Sequence, residues 1–347
     1  MYLLFNEGLI LILKRKRLFF LIESCCKLVV KNVIMYLYCE IMSETGGFFM
    51  KKVKFYTPVI TAFDEYGNLD IEGNKNVFDH LIAGGVDGVV IMGSTGEFFS
   101  MTTEQKKDLI NLSISHIANR IEVIIGTACM RVDETIELSN YAIAAGADAV
   151  MIISPYYFTL SDASIEAFFS EIAQHVNGNI YLYNFPARTG YNLTPEVTLT
   201  LLRKHQNIIG YKDTVFEVGH TRKLMTTILP EFPDFKILAG FDENLYHVVT
   251  GGGAGAIGGI SNLYPEICAE YTSAINSGNQ QAIYQSQQKI DKLMDIYNIG
   301  TPFFPIIKKA MMLRGIKMKD TCTAPYLPAT QEQIKKIKKL MAEVEAM

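Results

Sequence analysis

The sequence predicts an α/β protein, a closed (β/α)8 barrel of the TIM type with extra C-terminal helices. From residue 51 onward, short runs rich in β-branched residues alternate with amphipathic stretches, as in parallel strands joined by crossover helices. The alternation repeats eight times, which is the number of units in such a barrel. A short sequence pattern that leads into several strands also repeats, at 83–90 and 145–150 and more loosely at 252–257.

The predicted strands are short and apolar, as expected for strands that are buried on both faces. They span residues 53–61, 86–92, 121–126, 149–153, 180–184, 208–212, 235–239 and 256–259. The helices predicted between them include 103–117, 133–145, 161–175 and 194–204. Gly84 and Gly146 stand where a helix ends, and each is predicted to take the left-handed conformation that closes a helix.

Two regions are predicted, an N-terminal extension over 1–49 and a barrel domain over 50–347 with a helical tail from about residue 267. Charged residues interrupt every apolar run of the extension, so no run is long enough to span a bilayer, and the basic residues follow the apolar part instead of preceding it as in a signal peptide. Met50 fits a second translation start. The extension is therefore predicted to be a start-site artefact or a disordered segment, with a membrane-associating leader as the alternative.

Composition excludes several function classes. A net charge of −4 gives no basic surface for nucleic acid or for an anionic membrane. The six cysteines have no disulfide or metal spacing, which favours a reducing cytoplasm. The six histidines are dispersed, and no pair has ligand spacing at a strand end. The sequence therefore predicts no metal, no cofactor and small-molecule partners only.

In a barrel of this kind, the chemistry lies at the C-terminal ends of the strands. Lys212 ends the sixth predicted strand. Burial opposes the charged form of a lysine, and a free amine can attack a carbonyl and form a Schiff base. The alternative is a lysine that extends from the strand end to solvent. The residues at the other strand ends favour the role of nucleophile for Lys212.

The ends of the second and fifth strands suit such a nucleophile. The segment Gly93-Ser94-Thr95-Gly96-Glu97 has backbone N–H groups and two hydroxyls that can converge on a carboxylate, although a plain tight turn has the same pattern. Tyr183 is a phenolic proton donor and acceptor with Ser94 as a relay, or else a core tyrosine. Arg188 suits bidentate contact with a carboxylate, or is a solvated surface arginine.

Four motifs in this order resemble the dihydrodipicolinate synthase / N-acetylneuraminate lyase family. They are Gly93-Ser94-Thr95-Gly96-Glu97, Pro155-Tyr156-Tyr157, Tyr183-Asn184-Phe185-Pro186 and Gly210-Tyr211-Lys212-Asp213-Thr214. The resemblance runs from about Met50 to near the C-terminus. It implies a pyruvate-dependent class I aldolase or lyase that uses a lysine Schiff base and neither metal nor cofactor.

The resemblance also implies residue roles. Lys212 would form the Schiff base with pyruvate, and Ser94 and Thr95, next to Gly93, would hold its carboxylate. Tyr183 would transfer protons with the help of Ser94 and of Tyr157 from a neighbouring subunit. Members of the family are usually tetramers built from dimers, so a homotetramer is expected.

The acceptor aldehyde is less sharply indicated. Arg188 stands where dihydrodipicolinate synthases carry the arginine that binds aspartate semialdehyde, which implies a 4-hydroxy-tetrahydrodipicolinate synthase-like condensation. Thr214, Asp242 and Glu243 instead resemble the residues at these positions in aldolases that cleave 2-keto-3-deoxy sugar acids, or in N-acetylneuraminate lyases. Gly258, at the end of the eighth strand, is predicted to line the same site. Met130 replaces the asparagine of lysine-inhibited synthases, so feedback by lysine is not expected.

Two rival classes remain open. Gly251-Gly252-Gly253 resembles part of the phosphate site of a barrel isomerase, although these glycines precede the eighth strand instead of following it. A barrel that binds a small keto acid without turnover is the non-enzymatic alternative. The joint presence of Lys212, Tyr183 and Ser94 favours the enzyme.

Overall fold

The computed structural model describes residues 51–347 and, ahead of them, four two-residue strands at Leu4–Phe5, Leu9–Ile10, Leu13–Lys14 and Arg17–Leu18. The chain divides into two units, Met1–Phe49 and Met50–Met347. The short strands form two antiparallel pairs. The rest of the extension lies outside the described residues, so the start-site hypothesis stays a prediction. Within the described part, no helix has both the length and the apolar character needed to cross a bilayer.

Eight parallel strands close into a barrel, as the sequence predicted. They are β1 Lys54–Pro58, β2 Gly88–Ile91, β3 Glu122–Gly126, β4 Ala149–Ile153, β5 Ile180–Asn184, β6 Ile208–Asp213, β7 Lys236–Ala239 and β8 Gly255–Ile257. Each strand pairs with the next along the chain, and β8 pairs with β1. Nearly all strand residues are buried, because one face of each strand lines the barrel interior and the other packs against helices.

The first strand ends earlier than predicted. Val59 still donates to Val90 O at 2.9 Å, but Ile60 N bonds to the Asn262 side chain at 3.0 Å and so leaves the ladder. The apolar run extends past the strand to residue 61 because these residues are buried beneath the turn after β8. Burial, and not strand pairing, explains their composition. The last strand also ends early, since Gly259–Asn262 form a 3-10 turn.

Helices connect the strands and form the C-terminal tail. They are α1 Ile71–Ala83, α2 Thr103–Ile117, α3 Val132–Ala145, α4 Asp162–His175, α5 Pro186–Thr189, α6 Pro195–Lys204, α7 Val218–Ile228, α8 Leu245–Thr250, α9 Pro265–Ser277, α10 Gln280–Leu293, α11 Phe304–Leu313 and α12 Gln331–Glu345. A capping box between Thr102 and Gln105 starts α2, and its apolar face buries Leu109, Ile110 and Ile117.

One predicted helix end needs correction. Gly146 closes α3 in the left-handed conformation, with φ of 110°, as predicted. Gly84 does not, because its φ is −75° and the left-handed residue is the next one, Gly85, with φ of 82°. Gly84 is instead required by close packing, since a Cβ there would lie 2.2 Å from the Pro265 ring.

The C-terminal tail is joined to the barrel by a buried ion pair. Lys308 on α11 and Glu97, in the turn after β2, are both fully buried, and their side chains pair. Lys308 Nζ also donates to Thr321 O at 2.7 Å. Glu97 Oε2 accepts from the N–H and the hydroxyl of Thr323, each at 2.8 Å. The surrounding hydrogen bonds satisfy both charges, which is the condition for keeping an ion pair in a core.

We expect Lys308→Met to lower the free energy of unfolding by about 3–5 kcal/mol, because it leaves the Glu97 carboxylate buried without its counter-charge. Adding Glu97→Gln should recover much of this loss. The neighbouring Lys309 forms a more exposed pair with Asp320, so Lys309→Met should change stability by about 1 kcal/mol or less. Urea unfolding of the four proteins measures these differences, and equal losses for Lys308→Met and Lys309→Met would contradict the role of burial.

Candidate active site

Lys212 and Tyr183 are neighbours at the C-terminal end of the barrel. They are direct register partners on β6 and β5, and adjacent parallel strands bring their side chains to the same face. Lys212 Nζ lies 4.3 Å from the centroid of the Tyr183 ring. Their exposed fractions are only 5% and 4%. A buried lysine with a phenol beside it therefore does lie at this end of the sixth strand, although the strand continues one residue further than predicted, to Asp213.

Both residues open into a cavity of about 510 Å³. Eight of the eleven residues that the sequence singled out line it: Ser94, Thr95, Tyr183, Arg188, Lys212, Thr214, Asp242 and Glu243. They come from the ends of β2, β5, β6 and β7. Barrel closure thus brings these eight residues into one cavity, although the first and the last, Ser94 and Glu243, are 149 positions apart in sequence.

Three predicted site residues do not line this cavity. Gly93 lines a much smaller adjoining space together with Ser94 and Tyr183. Gly258 lies directly beneath Asp242, where a Cβ would come within 2.2 Å of Asp242 Oδ1, so its role is to leave room. Tyr157 is 80% exposed, and its ring packs edge-on against Phe158 at 5.0 Å. Within one chain, Tyr157 stays outside the site.

The turn after β2 is a short 3-10 helix, Ser94–Gly96. Gly96 N bonds to Gly93 O at 3.0 Å, and Thr61 Oγ1 donates to Gly96 O at 2.9 Å. The next residue, Glu97, has φ of 59°, a left-handed conformation that is uncommon for a side-chain-bearing residue. Its buried pairing with Lys308 holds it there. Ser94 and Thr95 are therefore presented to the cavity by a turn that is fixed from behind.

Two carboxyl groups line the opposite part of the cavity. Asp242 is fully buried, and its oxygens accept from Gly259 N at 3.0 Å and Ile260 N at 3.2 Å. Burial, with a smaller effect of the neighbouring Glu243 charge, raises the pKa of Asp242 to about 7. Burial likewise raises the pKa of Glu243. These groups therefore hold protons at higher pH than ordinary carboxyls and can act as hydrogen-bond donors as well as acceptors.

Two polar atoms at the cavity have no hydrogen-bond partner among the described residues. They are the buried Thr214 Oγ1 and Glu243 Oε2. Unpaired buried polar atoms are unfavourable in a folded chain. Both residues line the cavity, and Thr214 Oγ1 packs against Gly240, where a Cβ would lie 1.9 Å away.

The mouth of the cavity is aromatic. Phe216 packs against Phe241 with ring centroids 4.9 Å apart and a tilt of 31°, and the Phe185 and Phe241 rings meet edge-on with centroids 6.4 Å apart. The Arg188 guanidinium lies over the Phe185 ring, with Cζ 5.3 Å from its centroid. No carboxylate of residues 51–347 forms an ion pair with Arg188, so this cation faces the cavity without an anionic partner.

Sequence reasoning missed one wall of the site. Residues Met294, Tyr297, Asn298 and Gly300–Phe303, between α10 and α11, also line the cavity. Tyr297 is close enough to the β8 end that a Cβ at Gly259 would lie 2.3 Å from its hydroxyl. No sequence motif marks this segment, because its approach depends on how the tail packs. Between residues 51 and 347, no group of three His, Cys, Asp or Glu side chains is arranged to hold a metal ion.

Fold and site together define a class: a (β/α)8-barrel enzyme with a buried lysine near the end of β6, a phenol beside it and a turn after β2 that bears two hydroxyl groups. The sequence profile of the Dihydrodipicolinate synthetase family matches residues 51–344, and the chain belongs to this family. It is accordingly an enzyme, a lyase of the aldolase type, and its family works on pyruvate.

The curated relatives include enzymes with different acceptors. The chain is 35% identical over 288 residues to the putative 2-dehydro-3-deoxy-D-gluconate aldolase YagE of Escherichia coli K12, which covers 83% of this chain and 95% of YagE. It is 34% identical to the probable 2-dehydro-3-deoxy-D-pentonate aldolase YjhH of the same organism, covering 82% and 94%. It is 30% identical to the 4-hydroxy-tetrahydrodipicolinate synthase of Thermoanaerobacter sp. X514, with the same coverage of 82% and 94%.

Solved structures agree with this assignment. The crystal structure of YagE from E. coli K12 in complex with pyruvate superimposes with a TM-score of 0.82 at 34% identity, covering 86% of this chain and all of that one. The 4-hydroxy-tetrahydrodipicolinate synthase of Methylacidiphilum fumariolicum SolV gives 0.80 at 27% identity, covering 85% and 97%. The predicted fold and family are confirmed, whereas aspartate semialdehyde as the acceptor is not.

The buried carboxyl of Asp242 predicts a pH dependence of stability. Its pKa rises from 3.8 to about 7 on folding, so between these values the folded state keeps a proton that the unfolded state releases. The free energy of unfolding should therefore fall as the pH rises through this interval. Asp242→Asn should flatten that part of the profile, as measured by urea unfolding at a series of pH values.

The control is Asp234→Asn, since the Asp234 side chain is fully exposed. Its profile should follow that of the wild-type protein. If Asp242→Asn also follows the wild-type profile between about pH 4 and pH 7, then Asp242 does not titrate in this interval.

Proposed function

We propose that this enzyme cleaves a 2-keto-3-deoxy sugar acid to pyruvate and an aldehyde, or joins the two, through a Schiff base on Lys212. The observation that supports it most directly is the contact of Lys212 with Tyr183 in a cavity that Thr214, Asp242 and Glu243 also line. The identity to two sugar-acid aldolases supports the choice of substrate.

In the cleavage direction, the Lys212 amine adds to the C2 carbonyl, and loss of water gives an iminium ion. The turn at Ser94 and Thr95, next to Gly93, holds the C1 carboxylate by donating hydrogen bonds to it. Tyr183, helped by Ser94, gives its phenolic proton to the departing water and then, as the phenolate, takes the proton of the C4 hydroxyl. The C3–C4 bond then breaks, its electron pair moves into the iminium group to give an enamine, and the aldehyde leaves. Protonation at C3 and addition of water release pyruvate and the free amine.

The distal hydroxyl groups of the substrate would pair with the carboxyl side of the cavity. Among the described residues, Thr214 Oγ1 and Glu243 Oε2 have no hydrogen-bond partner. Asp242, whose pKa is raised, accepts from Gly259 N just after β8. A polyhydroxylated chain supplies donors and acceptors in alternation, whereas a simple aldehyde does not. This complementarity favours a sugar acid.

A second candidate rests on Arg188. Its guanidinium lines the cavity without an anionic partner in the described residues. A carboxylate on the acceptor would supply one, as aspartate semialdehyde does in a 4-hydroxy-tetrahydrodipicolinate synthase-like condensation. N-acetylneuraminate cleavage uses the same Schiff-base chemistry, and only an assay of acceptors separates these substrates.

The proposal extends to assembly and location. Tyr156, Tyr157 and Phe158 form an exposed aromatic run, which suits a homotetramer built from dimers in which Tyr157 completes the site of a neighbouring subunit. The three cysteines between residues 51 and 347 are free thiols, which suits a reducing cytoplasm.

Borohydride trapping tests the Schiff base. Reduction in the presence of pyruvate should inactivate the enzyme and add one reduced pyruvate per subunit, which peptide mapping should place on Lys212. Lys212→Ala should abolish both adduct and turnover, and Tyr183→Phe should lower kcat by about a hundredfold or more. Lys236→Ala is the control, because Lys236 stands at the opposite end of β7. An adduct on any other lysine would exclude this mechanism.

Arg188→Leu separates the two candidate acceptors. If Arg188 pairs with an acceptor carboxylate, its loss removes a charge-assisted bond of about 1.5–3 kcal/mol, so kcat/KM for aspartate semialdehyde should fall by about ten- to a hundredfold. Cleavage of 2-keto-3-deoxygluconate should change by about threefold or less. The control is Arg222→Leu, at an exposed position on α7. Equal losses on both substrates would make Arg188 a structural residue.

A further inference from the structure

The residues that follow the reactive pair form a second register pair. Asn184 and Asp213 are direct partners on β5 and β6, one position beyond Tyr183 and Lys212. Because successive side chains of a strand point to opposite faces, they turn away from the cavity and toward the helical layer. They are 2% and 3% exposed. The cavity lining does not include them, so substrate contact does not explain a carboxylate at this position.

Three side-chain donors converge on the buried Asp213 carboxylate. Thr221 Oγ1 lies 2.6 Å from Oδ2, His220 Nδ1 lies 3.0 Å from the same oxygen, and Asn184 Nδ2 lies 2.9 Å from Oδ1. His220 and Thr221 are on the first turn of α7. One carboxylate therefore joins the end of β5, the end of β6 and the start of the next helix.

The network continues through backbone groups. Asn184 Oδ1 accepts from Leu193 N at 2.9 Å. Thr214 N donates to Asn184 O at 2.9 Å, and Gly240 N donates to Asp213 O at 2.8 Å. The last residues of β5 and β6 and the first residue after β7 are thus tied together immediately behind Lys212 and Tyr183.

Stability alone does not require this arrangement, because well-packed apolar residues often stabilise a core as well as buried charges do. A charged acceptor with several short bonds does fix geometry, since each donor must stay in place to satisfy the buried oxygens. The geometry fixed here is the relative position of two strand ends. Displacement of a reacting group by about 1 Å can lower a rate by about a hundredfold.

We propose that Asp213 is a positioning residue, which holds the ends of β5 and β6 so that the Lys212 amine and the Tyr183 phenol meet over one carbonyl carbon. The inference rests on the proposed role of Lys212 and Tyr183, but not on the choice of acceptor. Asp213 acts through Asn184, His220 and Thr221 and does not touch the substrate.

The test uses Asp213→Asn in the full chain. An amide offers one acceptor oxygen to three donors, and its own N–H groups would face a donor, so the network must rearrange. The rate of borohydride trapping with pyruvate, and kcat, should fall by about ten- to a hundredfold, whereas the pyruvate concentration for half-maximal trapping should change by about threefold or less. The final number of adducts per subunit counts the folded sites, so a smaller folded fraction would not imitate a slower rate.

The matched control is Asp87→Asn. Asp87 also accepts a bond from a strand, from Phe55 N at 2.9 Å, but at the opposite end of the barrel. The Asp87→Asn substitution should lower stability and leave the trapping rate unchanged. If Asp213→Asn fails to fold, Thr221→Val removes one donor and should slow trapping by about three- to tenfold.

The outcomes are distinct. Wild-type trapping rates in both Asp213→Asn and Thr221→Val would overturn the inference, as would an equal slowing in Asp87→Asn. Absence of any pyruvate adduct in the wild-type enzyme would instead overturn the proposed Schiff base on Lys212.

Discussion

The buried ion pair between Glu97 and Lys308 joins two parts of the protein that are 211 residues apart in sequence. On one side it fixes the turn that presents Ser94 and Thr95. On the other it anchors α11, directly after the segment that supplies the remaining wall of the cavity. Two fully buried charges are stable only if they remain together, so the turn and the C-terminal tail cannot move independently. The shape of the cavity depends on this constraint.

Charge is divided within the cavity. The Arg188 guanidinium and the hydroxyls of the turn at Ser94 suit carboxylates, while Asp242 and Glu243 have raised pKa values and suit hydroxyl groups. The proposed substrate, a keto acid with a hydroxylated chain, would match this division.

The positions with the least freedom are those where backbone and side chains of different strands approach closely. A Cβ at Gly240 would lie 1.9 Å from Thr214 Oγ1, and one at Gly258 would lie 2.2 Å from Asp242 Oδ1. Both glycines leave space for a polar side chain that lines the cavity. The positions of Thr214 and Asp242 at the cavity therefore depend on these two glycines.

The sequence by itself determined the eight strands, the amphipathic helices and the strand ends that bear Lys212, Tyr183 and Ser94, because periodicity, strand-end position and short motifs are local properties. It did not reveal the partner of Glu97, the wall at Gly300–Phe303 or the donors around Asp213, and it placed the left-handed residue at Gly84 instead of Gly85. Those features were decided by tertiary structure alone. They depend on which distant groups closure of the barrel and packing of the tail bring within hydrogen-bonding distance, and no local pattern encodes that distance.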